Sequence, residues 1–202
     1  MTYQVNEIFN SIQGEGYFAG VPSTFIRLQG CTVGCPWCDT KHTWTKGGTK
    51  MAVEEILDRP IFEHVVVTGG EPTLWNLDAL LVELDRMNCF VQLETSGQNE
   101  LKGRLFPNWI TWSPKEHLHY SMQPRLSSQA NEVKFVVDSV LTKGYIDLAL
   151  SRVPYVSKMI FMPEGAPPKE EFVVKALDFT YAYADRHKVR YSDRLHTRAG
   201  VR

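Results

Sequence analysis

"STFIRLQGCTVGCPWCDT", residues 23–40, runs from a β-branched, apolar stretch into three cysteines spaced C-x3-C-x2-C. The stretch 23–29 reads as a strand that stops at Gly30, so the cysteines occupy a loop at a strand terminus. The pattern repeats downstream. "HVVVT" (64–68) is a short apolar run closed by Gly69 and Gly70, as in a buried parallel strand. "NLDALLVELDRM" follows, with Leu77, Leu80, Leu81, Leu84 and Met87 at helical spacing behind a candidate N-cap, Asn76. Further strands are expected at 89–95, 109–113, 132–137 and 157–163, and a last long helix over 169–188. "GGTK" (47–50) and "EGAPP" (164–168) read as short loops. Strands alternating with helices predict an α/β fold with a mainly parallel sheet, whose ligands bind at the carboxyl ends of the strands.

Composition narrows the function classes. The 202 residues, 43% hydrophobic and 22% charged, suit a single soluble domain over 1–202. Twenty-two basic against twenty-three acidic side chains give a net charge of -1, and no basic block is present to track a phosphate backbone, so direct nucleic-acid binding is not expected. No basic n-region precedes an apolar segment at the start, and no apolar run reaches the length of a membrane span. The expectation is a cytoplasmic protein without membrane contact. In that compartment a cluster of three cysteines points to a metal or redox centre rather than a disulfide, whereas Cys89, opening an apolar strand, reads as a structural thiol.

Two centres fit the spacing. His42, four residues after Cys38, would complete a Cys3His zinc site with Cys31, Cys35 and Cys38. Alternatively, three thiolates hold an iron-sulfur cluster and leave one iron open for a ligand.

The cysteine loop with Trp37 before its last cysteine resembles the signature of radical S-adenosylmethionine enzymes, and "TGGEP" (68–72) resembles their glycine-rich stretch. More of the chain, "NEIFNSIQGEGYFAGVPSTFIRLQGC" with "CPWCDTKHTW", "TGGEP", "ETSG" and "WSPK", resembles the 7-carboxy-7-deazaguanine synthase family. That resemblance implies a trimmed, incomplete TIM-like barrel, a homodimer, and one 4Fe-4S cluster. It further implies S-adenosylmethionine and magnesium as cofactors, with a flavodoxin or ferredoxin as reductant. The implied reaction contracts the ring of a carboxypterin, 6-carboxy-5,6,7,8-tetrahydropterin, and releases ammonia. A glycyl-radical activase, which acts on a polypeptide, shares the cluster and cofactor, but Arg27 and Thr40 favour the carboxypterin. A zinc-binding interaction module is the non-enzymatic alternative.

Carried over residue by residue, the resemblance assigns Cys31, Cys35 and Cys38 to the cluster and the hydroxyl of Thr40 to magnesium. It assigns Trp37, Asp39, Gly69, Gly70, Glu71, Ser113, Lys115, Phe161, Met162, Pro163 and Glu164 to S-adenosylmethionine, the last four largely through backbone groups. It assigns Ile12, Gln13, Gly14, Glu15, Arg27, Thr68, His196 and Arg202 to the substrate. Arg27 would pair with its carboxylate and Glu15 with its guanidine-like edge. Relatives close with a serine, a glutamine and a histidine, whereas "YSDRLHTRAGVR" has Ser192, Arg194 and His196. Arginine thus stands where the family carries an amide. Glu54, Glu55, Glu170 and Glu171 read as solvated charges near helix starts, and residues 77–84 as core.

Overall fold

A computed structural model describes residues 1–202 apart from Lys46, Arg186, His187 and Arg202. Its nine strands are β1 (Thr2–Ile12), β2 (Pro22–Leu28), β3 (Thr49–Ala52), β4 (His64–Gly69), β5 (Phe90–Thr95), β6 (Trp109–Trp112), β7 (Glu132–Val137), β8 (Lys158–Pro163) and β9 (Lys188–Tyr191). They form one sheet in the order β3-β1-β2-β4-β5-β6-β7-β8-β9. From β2 to β9 every neighbouring pair is parallel, and β1 runs antiparallel to both β2 and β3. β3 and β9 are the two edges, so the sheet is an incomplete barrel rather than a closed one. The helices are α1 (Val53–Leu57), α2 (Asp78–Arg86), α3 (Pro124–Ser127), α4 (Lys143–Arg152), α5 (Glu170–Ala182) and α6 (Leu195–Arg198).

Period-two alternation sends one set of strand side chains to the helices and the other into the lumen. On the helix side, Val65, Val67, Val91 and Leu93 pack with Leu80 and Leu84 of α2. Around β7 and β8, Val133, Phe135, Met159 and Phe161 pack with Ile146 and Ala149 of α4 and Ala176 of α5. The register fixes the lumen rows: Arg27 of β2 stands beside Glu7 of β1 and Thr68 of β4. Below them an aromatic plug fills the lumen, with the Phe18 ring 4.9 Å from His64, 4.8 Å from Trp109 and 5.4 Å from Phe90. Side chains thus fill the amino-terminal end, and space remains at the carboxyl ends.

The strands expected after residue 23 form within one residue of their predicted limits. Three differences stand out. Thr49 and Lys50 of the expected 47–50 loop open β3, where β1 supplies the hydrogen-bonding edge. The long terminal helix stops at Ala182, and β9 follows because β8 offers a parallel partner edge. Met87, the end of the predicted apolar stripe, is 46% exposed because α2 has already ended at Arg86. Asn76 does accept from the Asp78 amide, at 2.9 Å, although the helix begins two residues later.

Candidate active site

A cavity of about 230 Å³ opens at the carboxyl ends of β2 and β4 to β8. The cysteine loop forms one wall. It is pinned by Gly30 N–H to Thr43 O at 2.8 Å, Glu71 N–H to Gly30 O at 2.8 Å, and a 2.9 Å contact between the His117 ring and Val33 O. Gly70 allows this approach, because a Cβ there would lie 2.1 Å from Gly30 O and 2.8 Å from the Cys31 Cβ. Cys31, Cys35 and Cys38 are all free thiols and all line the cavity.

Charge around the thiols is arranged as well. Burial pushes the Cys35 thiol up, and the Lys115 ammonium pulls it back. Lys115 is itself buried; it donates to Ser113 Oγ at 2.7 Å and lies 4.6 Å above the Trp37 ring. Burial lowers its pKa, while the neighbouring Cys35 raises it.

These residues fit an iron-sulfur cluster. Three soft donors open onto one cavity beside a fixed cation, and His42 is exposed rather than turned toward them. Among the described residues no three His, Cys, Asp or Glu side chains surround a point suited to a single metal ion. Thr40 Oγ1 lines the same cavity 3.5 Å from Cys38 Sγ, a hard oxygen suited to magnesium.

The opposite end carries a buried charge network. Lys134 of β7 reaches Glu15 Oε2 at 2.7 Å and Glu94 Oε2 at 2.8 Å. Gln13 Nε2 donates to Glu94 Oε1 at 3.0 Å and to Gln92 Oε1 at 3.2 Å. Burial alone would raise the Glu15 pKa, but Lys134 and then Arg194 overcome it and hold the carboxyl at about 2. Lys134 is raised in turn, since Glu15 and Glu94 outweigh the lowering by burial. Beneath the network, burial lifts Glu132 to about 7 against the pull of Lys134; its Oε2 accepts from Tyr17 N–H at 3.2 Å. Arg27 lines the cavity with its Nε held by Glu7 at 2.7 Å.

The C-terminal segment closes over this end. Leu195 N–H donates to Gly14 O at 2.9 Å, Gly16 N–H donates to Ser192 Oγ at 3.0 Å, and the His196 ring packs so tightly on Gly14 that a Cβ there would sit 1.7 Å from Nδ1.

Of the predicted site residues, Ile12, Gln13, Gly14, Glu15, Arg27, Thr68, Gly69, Gly70, Glu71, Asp39, Ser113, Lys115, Met162 and His196 line the cavity with the three cysteines and Thr40. Trp37 faces a neighbouring hollow bounded by Pro114 and Asp138. Phe161 turns its ring into the helix-side core against Phe135, and Pro163 and Glu164 are not among the lining residues, so the "FMPEG" stretch reaches the cavity through Met162. Arg202 lies outside the described residues. Glu71 is saturated. It accepts from Thr73 N–H and Oγ1, Thr95 Oγ1, and Ser96 N–H and Oγ, and so ties the end of β4 to the end of β5. Sequence reasoning missed Glu94 and Lys134, which read as ordinary strand residues; a charged residue at an apolar strand's inward position was the available signal.

No family model matches the chain. It is 41% identical over 167 residues to the 7-carboxy-7-deazaguanine synthase of Escherichia coli (strain K12), covering 69% of this chain and 74% of that protein. The 7-carboxy-7-deazaguanine synthase of Aquifex aeolicus (strain VF5) is 35% identical over 181 residues, covering 86% and 82%. Among solved structures, the crystal structure of QueE from Escherichia coli superposes with a TM-score of 0.77 at 32% identity, covering 96% of this chain and 95% of that one.

Proposed function

The chain belongs to the 7-carboxy-7-deazaguanine synthase family, and on that premise we propose that its cavity binds 6-carboxy-5,6,7,8-tetrahydropterin and carries out its ring contraction to 7-carboxy-7-deazaguanine with loss of ammonia. The observation that carries this reading is the polarity of one cavity: three thiols at one end, the Glu15–Lys134–Glu94 network at the other, and Arg27 and Thr40 in the same lining. When bound, an iron-sulfur cluster on Cys31, Cys35 and Cys38 with S-adenosylmethionine supplies one-electron, hydrogen-abstracting chemistry of the lyase reaction.

The protein's part is placement. Glu15 and Glu94, both bonded to Lys134, present acceptors to the N–H groups of the pterin's guanidine-like edge. Arg27 offers the guanidinium for the substrate carboxylate, and Thr40 the oxygen for a magnesium ion that the same carboxylate completes. Ser113 and Lys115, already bonded to each other, form the polar rim for S-adenosylmethionine beside the cysteine loop. The segment 192–198, docked on Gly14 and Gly16, keeps bulk water from the substrate end. A flavodoxin or ferredoxin as electron donor, a homodimer and a cytoplasmic setting belong to the same proposal. Consistent with it, no helix among the described residues is long and apolar enough to cross a membrane.

The test is anaerobic incubation of cluster-loaded protein with the carboxytetrahydropterin, S-adenosylmethionine, magnesium and a low-potential reductant. A product of the mass of 7-carboxy-7-deazaguanine is expected. Cofactor cleavage without any conversion of this pterin would overturn the substrate assignment.

A further inference from the structure

Arg194 carries five N–H donors in its guanidinium, yet among the described residues these form no hydrogen bond. The residue is 8% exposed and lines the cavity at its substrate end. Its Nε lies 3.3 Å from Glu15 Oε1 but is buried without hydrogen-bond geometry, and its Nη2 lies 3.6 Å from Asp39 Oδ2. A buried donor without an acceptor costs free energy, and Nε is in that state, so Arg194 lacks a full set of protein partners and its cavity-lining guanidinium is suited to a ligand acceptor.

The surroundings decide which acceptor. Two carboxylates, Glu15 and Asp39, already balance the charge on Arg194, so a third anion would meet both as repulsion. A neutral carbonyl oxygen would not. Glu15, beside the guanidinium, accepts rather than donates, because Lys134 and Arg194 keep it ionised. The wall therefore presents a donor next to an acceptor. A lactam, O=C–N–H, presents the complementary pair, and the pterin ring carries one along its pyrimidine edge.

Resting on the carboxypterin reading above, we propose that Arg194 is a specificity-determining residue that donates to the 4-oxo oxygen of the pterin while Glu15 accepts from the adjacent ring N–H. A ligand with an amino group at that carbon turns a donor toward Arg194 and removes the neighbouring N–H from Glu15. Rejection follows from two unpaired groups at once.

The experiment measures equilibrium binding by ligand fluorescence at pH 8, under anaerobic conditions, on cluster-loaded protein with S-adenosylmethionine and magnesium. The probes are 6-carboxypterin and its 4-amino counterpart, 2,4-diamino-6-carboxypteridine. The parent protein should prefer the 4-oxo ligand by roughly 10-fold or more, the factor expected for a charge-assisted hydrogen bond. Arg194→Met should cut that preference to within about 3-fold by weakening the 4-oxo ligand alone, and Arg194→Gln, which still offers an amide donor, should fall between. If Arg194→Met fails to load its cluster, Arg194→Gln decides. An unchanged preference in the folded variants, or equal loss of both ligands, overturns the role given to Arg194 and leaves the carboxypterin reading standing. If the parent protein binds neither probe, the carboxypterin reading itself fails.

Discussion

Lys134→Met removes the one buried ammonium that separates two half-buried carboxylates. The side chain is 4% exposed and holds Glu15 and Glu94 at 2.7 and 2.8 Å. Breaking a buried pair by deleting one partner costs roughly 3–5 kcal/mol. The depression of Glu15 from 4.5 to about 2 gives a comparable figure, on the order of 3 kcal/mol at 1.36 kcal/mol per pKa unit. In the parent protein that contribution is fully present above about pH 4.5 and is lost as pH falls toward 2, so it is constant between pH 5.5 and 8. In the variant Glu15 keeps only Arg194, at 3.3 Å, against burial and the repulsion of Glu94, and burial, the largest influence on it, carries its folded pKa above the unfolded value. A raised carboxyl leaves stability intact at low pH and removes it as pH rises through the folded value. The gap in stability between parent and variant should therefore be wide at pH 8 and narrow at pH 5.5. With a urea slope of roughly 2 kcal/mol per molar, the midpoint should drop by about 1.5–2.5 M at pH 8. Circular dichroism of anaerobic, cluster-loaded protein measures both midpoints. A gap that is absent, or the same at both pH values, refutes the idea that Lys134 balances this pair.

Four other outcomes follow from the geometry. Glu132, raised to about 7, withdraws stability as pH climbs from about 4.5 through 7, so Glu132→Gln should match the parent at pH 5 and exceed it at pH 8 by on the order of 2 kcal/mol in urea titrations. Glu71→Gln places an amide N–H2 among five donors and should cost roughly 3 kcal/mol, read as a lowered unfolding midpoint with the cysteines still reactive. Cys35→Ala should abolish iron-sulfur absorbance and all cleavage of S-adenosylmethionine, and a full cluster in that variant would refute the ligand set. Thr40→Val should keep the cluster and uncoupled cofactor cleavage but lose product formation and its response to added magnesium, whereas Thr40→Ser should retain much of that response; normal magnesium-dependent turnover by Thr40→Val would place the ion elsewhere.

Which parts were legible in the sequence follows from how local each signal is. The cysteine loop, Gly70 and the strand ends at Thr68 and Ser113 come from contiguous motifs, and each lines the cavity. β1 and β9 were not legible, because "TYQVNEIFNSI" and "KVRY" mix polar and apolar residues and become strands through partners supplied by β2, β3 and β8. Lys134 and Glu94 lie 40 residues apart and meet only once β5, β6 and β7 are in register, so each shows in sequence only as a charge on an apolar strand, and their pairing does not show at all.

Glu71 shows how a side chain of a cavity-lining motif can be fully engaged by the protein itself. "TGGEP" does bring glycines to the cysteine loop, and Gly70 could not be replaced without displacing Gly30 or Cys31. The acid that follows looks like a ligand contact in sequence, since it lines the same cavity. Its two oxygens accept five hydrogen bonds from Thr73, Thr95 and Ser96, so little acceptor capacity is left for an incoming amine. Its contribution is rigidity: it clamps the β4 and β5 termini, and so holds Thr68 and Glu94, neighbours on those two strands, in place at the cavity wall. A site that must orient a small heterocycle against a distant loop needs such a clamp as much as it needs contact residues. On the proposed reading, a ligand's donors are met instead by Glu15 and Glu94, which Lys134 joins at 2.7 and 2.8 Å and which come from distant parts of the chain.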